Sequence, residues 1–166
     1  MRVILMTASK HGSTEEIGDF VAKALAHEGL DVDRYSPGEP IAKDVPFEAA
    51  VIGSAVYAGH WLGEARKWIS NEWHNLRATP VWLFSSGPVG DPPVPDEDPA
   101  DIEAIGNVLD VRGHVRFAGK IDKDTLGFGE RAIVKALRVE TGDFRDWVAI
   151  EAWARSIAES LVTTGR

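Results

Sequence analysis

Cysteine is absent from the 166 residues. That excludes disulfides, thiolate chemistry and iron–sulfur clusters held by cysteine. Any electrons this chain moves must therefore travel on an organic cofactor. No apolar stretch approaches the roughly 20 residues that span a bilayer. The opening apolar run is too short for a signal peptide and no cleavage-type region follows it, so the expected location is the cytoplasm. Basic residues are in deficit: 18 Lys and Arg stand against 26 Asp and Glu, a formal net charge of −8. Contacts to nucleic acid need clustered Lys and Arg, so nucleic acid is not an expected partner, whereas a basic protein is compatible. His11, His27, His60, His74 and His114 show no metal-ligand spacing, and no metal is expected. Neither paired carboxylates nor a Ser/His/Asp order suggests acid–base or nucleophilic catalysis.

What is present is an ordinary globular composition, 44% hydrophobic and 27% charged, in a chain long enough for one domain, residues 1–166, with a real core. The chain is organised around Thr7-Ala8-Ser9-Lys10-His11-Gly12-Ser13-Thr14. The apolar run Val3-Ile4-Leu5-Met6 before it reads as a buried strand, and Ile17, Phe20, Val21, Ala24 and Leu25 after it recur at helix spacing. At a strand-to-helix junction the free N–H groups of the first turn and the helix dipole favour an anion. Ser9, Ser13 and Thr14 add hydroxyls, and Gly12 lets the backbone approach a ligand. The combination suits a phosphate monoester. The plainer reading is that Ser13 or Thr14 caps the helix and nothing binds. Neither a Walker loop nor Gly-x-Gly-x-x-Gly is present, so a nucleotide triphosphate does not fit.

The first helix is expected over 14–28, ending at Gly29. Strands are expected over 30–35, 47–54, 80–84 and 115–118. Helices are expected from Leu62 to Leu76, from Ala100 to Leu109, from Glu130 to Val139 and after Asp146. Strands alternating with helices imply an α/β fold: a three-layer sandwich whose five-stranded parallel sheet, in order 2-1-3-4-5, carries helices on both faces. Ligands of such sheets bind beyond the carboxyl ends of the strands. Three loops should share that rim: 7–14, 54–61 and 85–91. A response-regulator module shares the topology but needs clustered carboxylates after the first strand and an Asp after the third. Thr7-Ala8-Ser9 and Ser54 stand there instead.

These residues resemble the flavodoxin family. Ser9-Lys10-His11-Gly12-Ser13-Thr14 is similar to its flavin-phosphate loop, with Lys10 and His11 departing from the usual uncharged pattern. The resemblance implies FMN. Its phosphate would lie on Ser9, Lys10, His11, Gly12, Ser13 and Thr14. Its ring would lie between Ala55, Val56, Tyr57, Ala58, Gly59 and Trp61 on one side and Ser85, Ser86, Gly87, Pro88, Val89, Gly90 and Asp91 on the other. Tyr57 and Trp61 are candidate stacking rings, although Trp61 fits equally as an aromatic packing the next helix onto the sheet. The Ala58-Gly59 peptide could approach flavin N5 and accept its proton by a carbonyl. Backbone N–H groups from Ser86 to Gly90 could bond the pyrimidine edge, or form an ordinary turn. His60 is a candidate proton donor, with a solvated structural histidine as the alternative.

Within the family, Val51-Ile52-Gly53 followed by Gly59-His60-Trp61 resembles the menaquinone-dependent protoporphyrinogen IX dehydrogenases. Phe117-Ala118-Gly119, Arg131, Ile133, Lys135 and Trp147 resemble the stretch where those enzymes carry a long insertion, here shorter. The resemblance implies an FMN-dependent oxidoreductase acting on quinone or porphyrin. The alternative is a one-electron carrier docking other redox proteins, for which the acidic run 91–103 offers a surface. Arg131, Lys135 and Arg138 form a basic stripe that could rest on a membrane, accept substrate carboxylates, or simply be solvated.

Overall fold

The computed structural model describes residues 1–87, 97–136 and 138–164. Pro88, Val89, Gly90 and Asp91, and with them part of the expected acidic loop, lie outside the described residues.

Strand β1 (Arg2–Ala8) opens the chain, and its side chains alternate between two cores as a fully buried central strand requires. Val3 and Leu5 face helix α1 (Ser13–His27) and the C-terminal helix α5 (Trp147–Thr164), meeting Ile17, Val21, Ile150 and Ile157. Ile4 and Met6 face α2 (Gly63–Leu76) and α3 (Asp101–Gly106), meeting Ala65, Trp68, Ile69 and Ile105. The remaining long strands are β2 (Asp31–Tyr35), β3 (Ala49–Tyr57), β5 (Pro80–Ser86) and β6 (Asp110–Phe117). Their order is β2-β1-β3-β5-β6, parallel at every pairing. Counted by long strands alone, this is the expected 2-1-3-4-5 sheet between two helical layers.

Close approach in the middle of the sheet depends on Gly53. A Cβ there would lie 2.0 Å from the Phe84 ring, so the missing side chain is the space that Phe84 fills. Phe84 in turn packs edge-on against Trp153 of α5, with centroids 5.8 Å apart.

Three elements differ from the sequence expectation. Residues 55–61 are not an open loop: β3 continues to Tyr57, and β4 (His60–Trp61) folds back antiparallel on it. The two-residue turn takes positive φ at Ala58 (50°) and Gly59 (77°), as a tight hairpin matching the strand twist demands. Strand β6 begins at Asp110 rather than 115, because an edge strand carrying Arg112, His114 and Arg116 lacks the apolar signal of a central one. The helix expected over 130–139 is α4 (Phe128–Ala136), and Arg138 stands beyond its end at φ 52°.

Helix α4 belongs to an excursion that leaves the sheet after β6. Its base is the antiparallel pair β7 (Lys120–Ile121) and β8 (Gly142–Asp143). Arg145 staples this base to the front of α1, its side chain only 3% exposed. It donates to Asp143 Oδ2 at 2.7 Å, to Glu16 Oε2 at 2.6 Å and to the Ser13 carbonyl at 3.4 Å, and lies 4.6 Å over the Trp147 ring. Among the described residues, no helix is long and apolar enough to cross a membrane.

Candidate functional site

The carboxyl ends of β1, β3 and β5 face one cleft of about 400 Å³. Its floor at one end is the loop between β1 and α1. Gly12 holds φ 86° there, with no atom within 4 Å of where a Cβ would sit. Left-handed backbone at this point turns the chain so that the first amides of α1 face the cleft, a conformation glycine adopts without strain. No side chain caps α1, so the capping reading of Ser13 or Thr14 does not hold. The orphan N–H groups of the first turn remain for a ligand.

Ser9 Oγ is occupied by the Gly12 N–H at 3.0 Å. Ser13 Oγ is different. It is buried and has no hydrogen-bond partner, which buried hydroxyls rarely tolerate. An anion seated on the loop would satisfy it, and this orphaned atom is the observation by which a phosphate monoester fits the site. The acidic first turn does not oppose such an anion freely. Glu15 is held by Arg34 at 2.6 Å and by the Thr7 hydroxyl at 2.6 Å, and Glu16 by Arg145 at 2.6 Å.

Ser9, Lys10, His11, Ser13 and Thr14 line this cleft, together with Ala55, Val56 and Tyr57 from β3 and Ser86 and Gly87 from β5. Gly12 shapes the loop from its turn. Tyr57 is the exposed ring at the cleft wall. Lys10 Nζ sits 4.9 Å from its centroid. Partial burial pushes the Tyr57 phenol above its usual value, and the nearby Glu130 charge adds to the shift.

Other expected site residues lie elsewhere. Trp61 is 1% exposed and donates through Nε1 to Ser85 Oγ at 2.8 Å. It is a core aromatic rather than a stacking ring, since its indole N–H needs a buried acceptor and Ser85 supplies one. Ser85, itself fully buried, bonds His114 Nε2 at 2.8 Å. Ala58, Gly59 and Ser85 line a separate small cavity of about 170 Å³. The Gly59 carbonyl, which follows the Ala58-Gly59 peptide expected near flavin N5, accepts the Ala100 N–H at 3.1 Å. His60 does not line the cleft: its Nδ1 is 3.3 Å from Asp101 Oδ2, which also accepts the Trp61 N–H at 2.8 Å. His60 is thus a surface partner of α3. Among the described residues no group of His, Asp and Glu could hold a metal.

What the sequence reading missed is the cleft's far wall. Gly119, Ile121, Leu126, Ile133 and Val134 of the excursion close over it, with Glu130 pointing at the β1–α1 loop. Glu130 pairs with Lys10 Nζ and lies 3.1 Å from His11 Nε2. Its carboxyl is held down to about 2, first by the Lys10 hydrogen bond and next by the Gly127 N–H. The one local signal for Glu130 was its place three residues after Gly127, whose N–H it caps at 2.9 Å.

Comparison with known proteins places this geometry. Residues 4–147 match a family model described as a flavodoxin domain. No curated protein matches the sequence. Among solved structures, a flavodoxin from the domain Archaea is similar over 96% of this chain and 98% of its own, with a TM-score of 0.64 and 16% identity. A Streptococcus pneumoniae TIGR4 flavodoxin is similar over 96% and 99%, at 0.65 and 18%. Rubredoxin oxygen:oxidoreductase from Desulfovibrio gigas is similar over 98% of this chain but 36% of its own, at 0.65 and 14%. At these identities the structural likeness shows the fold.

Proposed function

The chain belongs to the flavodoxin domain family, whose members bind FMN, and from that premise we propose that it is an FMN-dependent oxidoreductase acting on a small organic substrate. The finer reading is a quinone-linked enzyme of the protoporphyrinogen dehydrogenase type, working in the cytoplasm or at the inner face of the membrane. Bound FMN would supply the electron-accepting and electron-donating ring.

The chain's own residues do the rest. The first-turn amides of α1 and the orphaned Ser13 hydroxyl bind the phosphate. Tyr57 offers a ring face along the cleft wall, and Lys10 holds that ring from the loop side. Ile121, Leu126, Ile133 and Val134 give the opposite wall an apolar surface that excludes water from the cleft.

The observation that carries the enzyme reading is the excursion from β7 to β8. A protein that only passes electrons to other proteins needs an open flavin edge. An apolar wall over the cleft instead suits a small molecule lying between it and the ring. The carrier reading draws on the exposed acidic residues Glu97, Asp98 and Glu103 near the end of β5's loop, which would meet a basic redox protein.

Turnover separates the two. The purified protein, with its cofactor identified after heat release, is reduced and mixed with a menaquinone analogue, and separately supplied with protoporphyrinogen. Reoxidation by quinone without any protein partner supports the enzyme. A flavin that exchanges electrons only with a redox protein, at a rate falling with ionic strength, supports the carrier.

A further inference from the structure

Beside the flavin cleft, and sharing Leu126 and Val134 with it as a common wall, lies a larger groove of about 690 Å³. Lys123, Arg131, Lys135 and Arg138 line it, outnumbering its two carboxylates, Asp124 and Glu140, two to one. In a chain of net charge −8 this is a local inversion of sign.

The four cations also differ from the arginines that fasten other parts of the fold. Arg2, Arg34, Arg112 and Arg145 each hold a carboxylate within 3.1 Å. Among the described residues none of the four groove cations forms an ion pair, and all four are exposed. Arg131 and Lys135 come from one face of α4, one helical turn apart. Lys123 precedes the helix and Arg138 follows it, so the positive charge surrounds the groove rather than running along a stripe. Guanidinium groups take carboxylate or phosphate oxygens in pairs, and ammonium groups add point charge.

We propose that this groove binds the anionic end of a small organic molecule carrying two or more phosphate or carboxylate groups. Its remaining body would cross Leu126 and Val134 into the cleft. The anion site stands on the groove itself; its role as the dock for the redox substrate rests on the function proposed above.

Isothermal titration of the FMN-loaded full chain with inorganic pyrophosphate, and separately with citrate, tests this. The R131Q/K135Q double variant serves as control, because neither side chain lines the flavin cleft. Saturable binding of at least one probe is expected, weakened about tenfold or more in the variant, with FMN affinity and melting temperature unchanged. Pyrophosphate alone would mark a phosphate ligand, and citrate alone a carboxylate ligand. Probe binding by protein that takes up no FMN would support the groove and remove only its redox role. Failure of both probes to saturate, or equal binding by the double variant, overturns the proposal. So does co-sedimentation with phosphatidylglycerol vesicles that the variant abolishes while neither soluble probe saturates, which would make the groove a membrane-facing surface.

Discussion

The carboxylate of Glu130 meets the ammonium of Lys10 across 120 residues of chain, joining α4 to the loop that opens α1. His11 Nε2 lies 3.1 Å from the same carboxylate. One acidic group thus engages both Lys10 and His11 of the β1–α1 loop and fastens the wall of the cleft to its floor.

Replacing Glu130 by Gln keeps the hydrogen bond to the Gly127 N–H and removes the charge. Lys10 and His11 are then released to a phosphate dianion. FMN should bind about threefold to tenfold more tightly, a modest gain because the groups are largely solvated, while riboflavin affinity should not rise. Amide exchange in 128–136 should quicken as α4 loosens. Equal changes for both flavins would show that the carboxylate does not compete with phosphate. The pH dependence has a definite sign. Because the folded carboxyl lies near 2, below its usual 4.5, its contribution is fully present above 4.5 and lost as pH falls through about 2. The E130Q variant should therefore lose less stability than the parent across that window.

Trp61 is anchored in the core by its indole N–H. Trp61→Phe removes a buried donor from Ser85 Oγ, 2.8 Å away, and leaves a small void. Urea unfolding should show a loss of about 1–3 kcal/mol, with FMN affinity within about twofold of the parent. Unchanged stability with a tenfold loss of FMN affinity would instead make Trp61 a flavin contact.

His114 ends the chain that runs from the Trp61 indole through the Ser85 hydroxyl. Ser85 accepts from Trp61 and so turns its own proton toward His114 Nε2, which must be unprotonated to accept it. Burial lowers its pKa below 6.5, Asp98 opposing and Arg116 assisting. Folded histidine that resists protonation contributes stability above 6.5, lost as pH falls through the lower folded value. Urea unfolding of the parent should weaken from pH 7.5 to 5.5 by more than that of His114→Gln, which keeps a side-chain acceptor. An NMR titration midpoint for His114 above 6.5 would contradict the assignment.

The sheet and the strand-to-helix junction after β1 were readable because their signals are local. Val3 to Met6 is a continuous apolar run, and the hydroxyls of the loop sit next to a helix period. The roof was not readable, because α4 buries none of its residues in the core and so shows no stripe that says what it covers. Glu130 is invisible to any window shorter than its distance from Lys10. On α2 both Trp68 and Trp73 pack on the core: Trp68 is 2% exposed and donates to the Glu39 carbonyl at 2.7 Å, while the half-buried Trp73 donates to the Val108 carbonyl at 3.3 Å. Helix spacing admits both and does not report which is the more deeply buried. His60 and Gly59 drew attention through their place after β3. The hairpin with β4 turned them toward α3, and no sequence signal shorter than that tertiary pairing reports it.

Direct titration of cofactor-free protein with FMN and with riboflavin, in the parent and in Ser13→Ala, tests the central claim. The Ser13 hydroxyl has no partner in the protein, so its removal should leave stability intact within about 0.5 kcal/mol. FMN should bind far more tightly than riboflavin, and Ser13→Ala should weaken FMN about tenfold without affecting riboflavin. Equal affinity for the two flavins, or no uptake of FMN at all, would contradict a phosphate grip between β1 and α1.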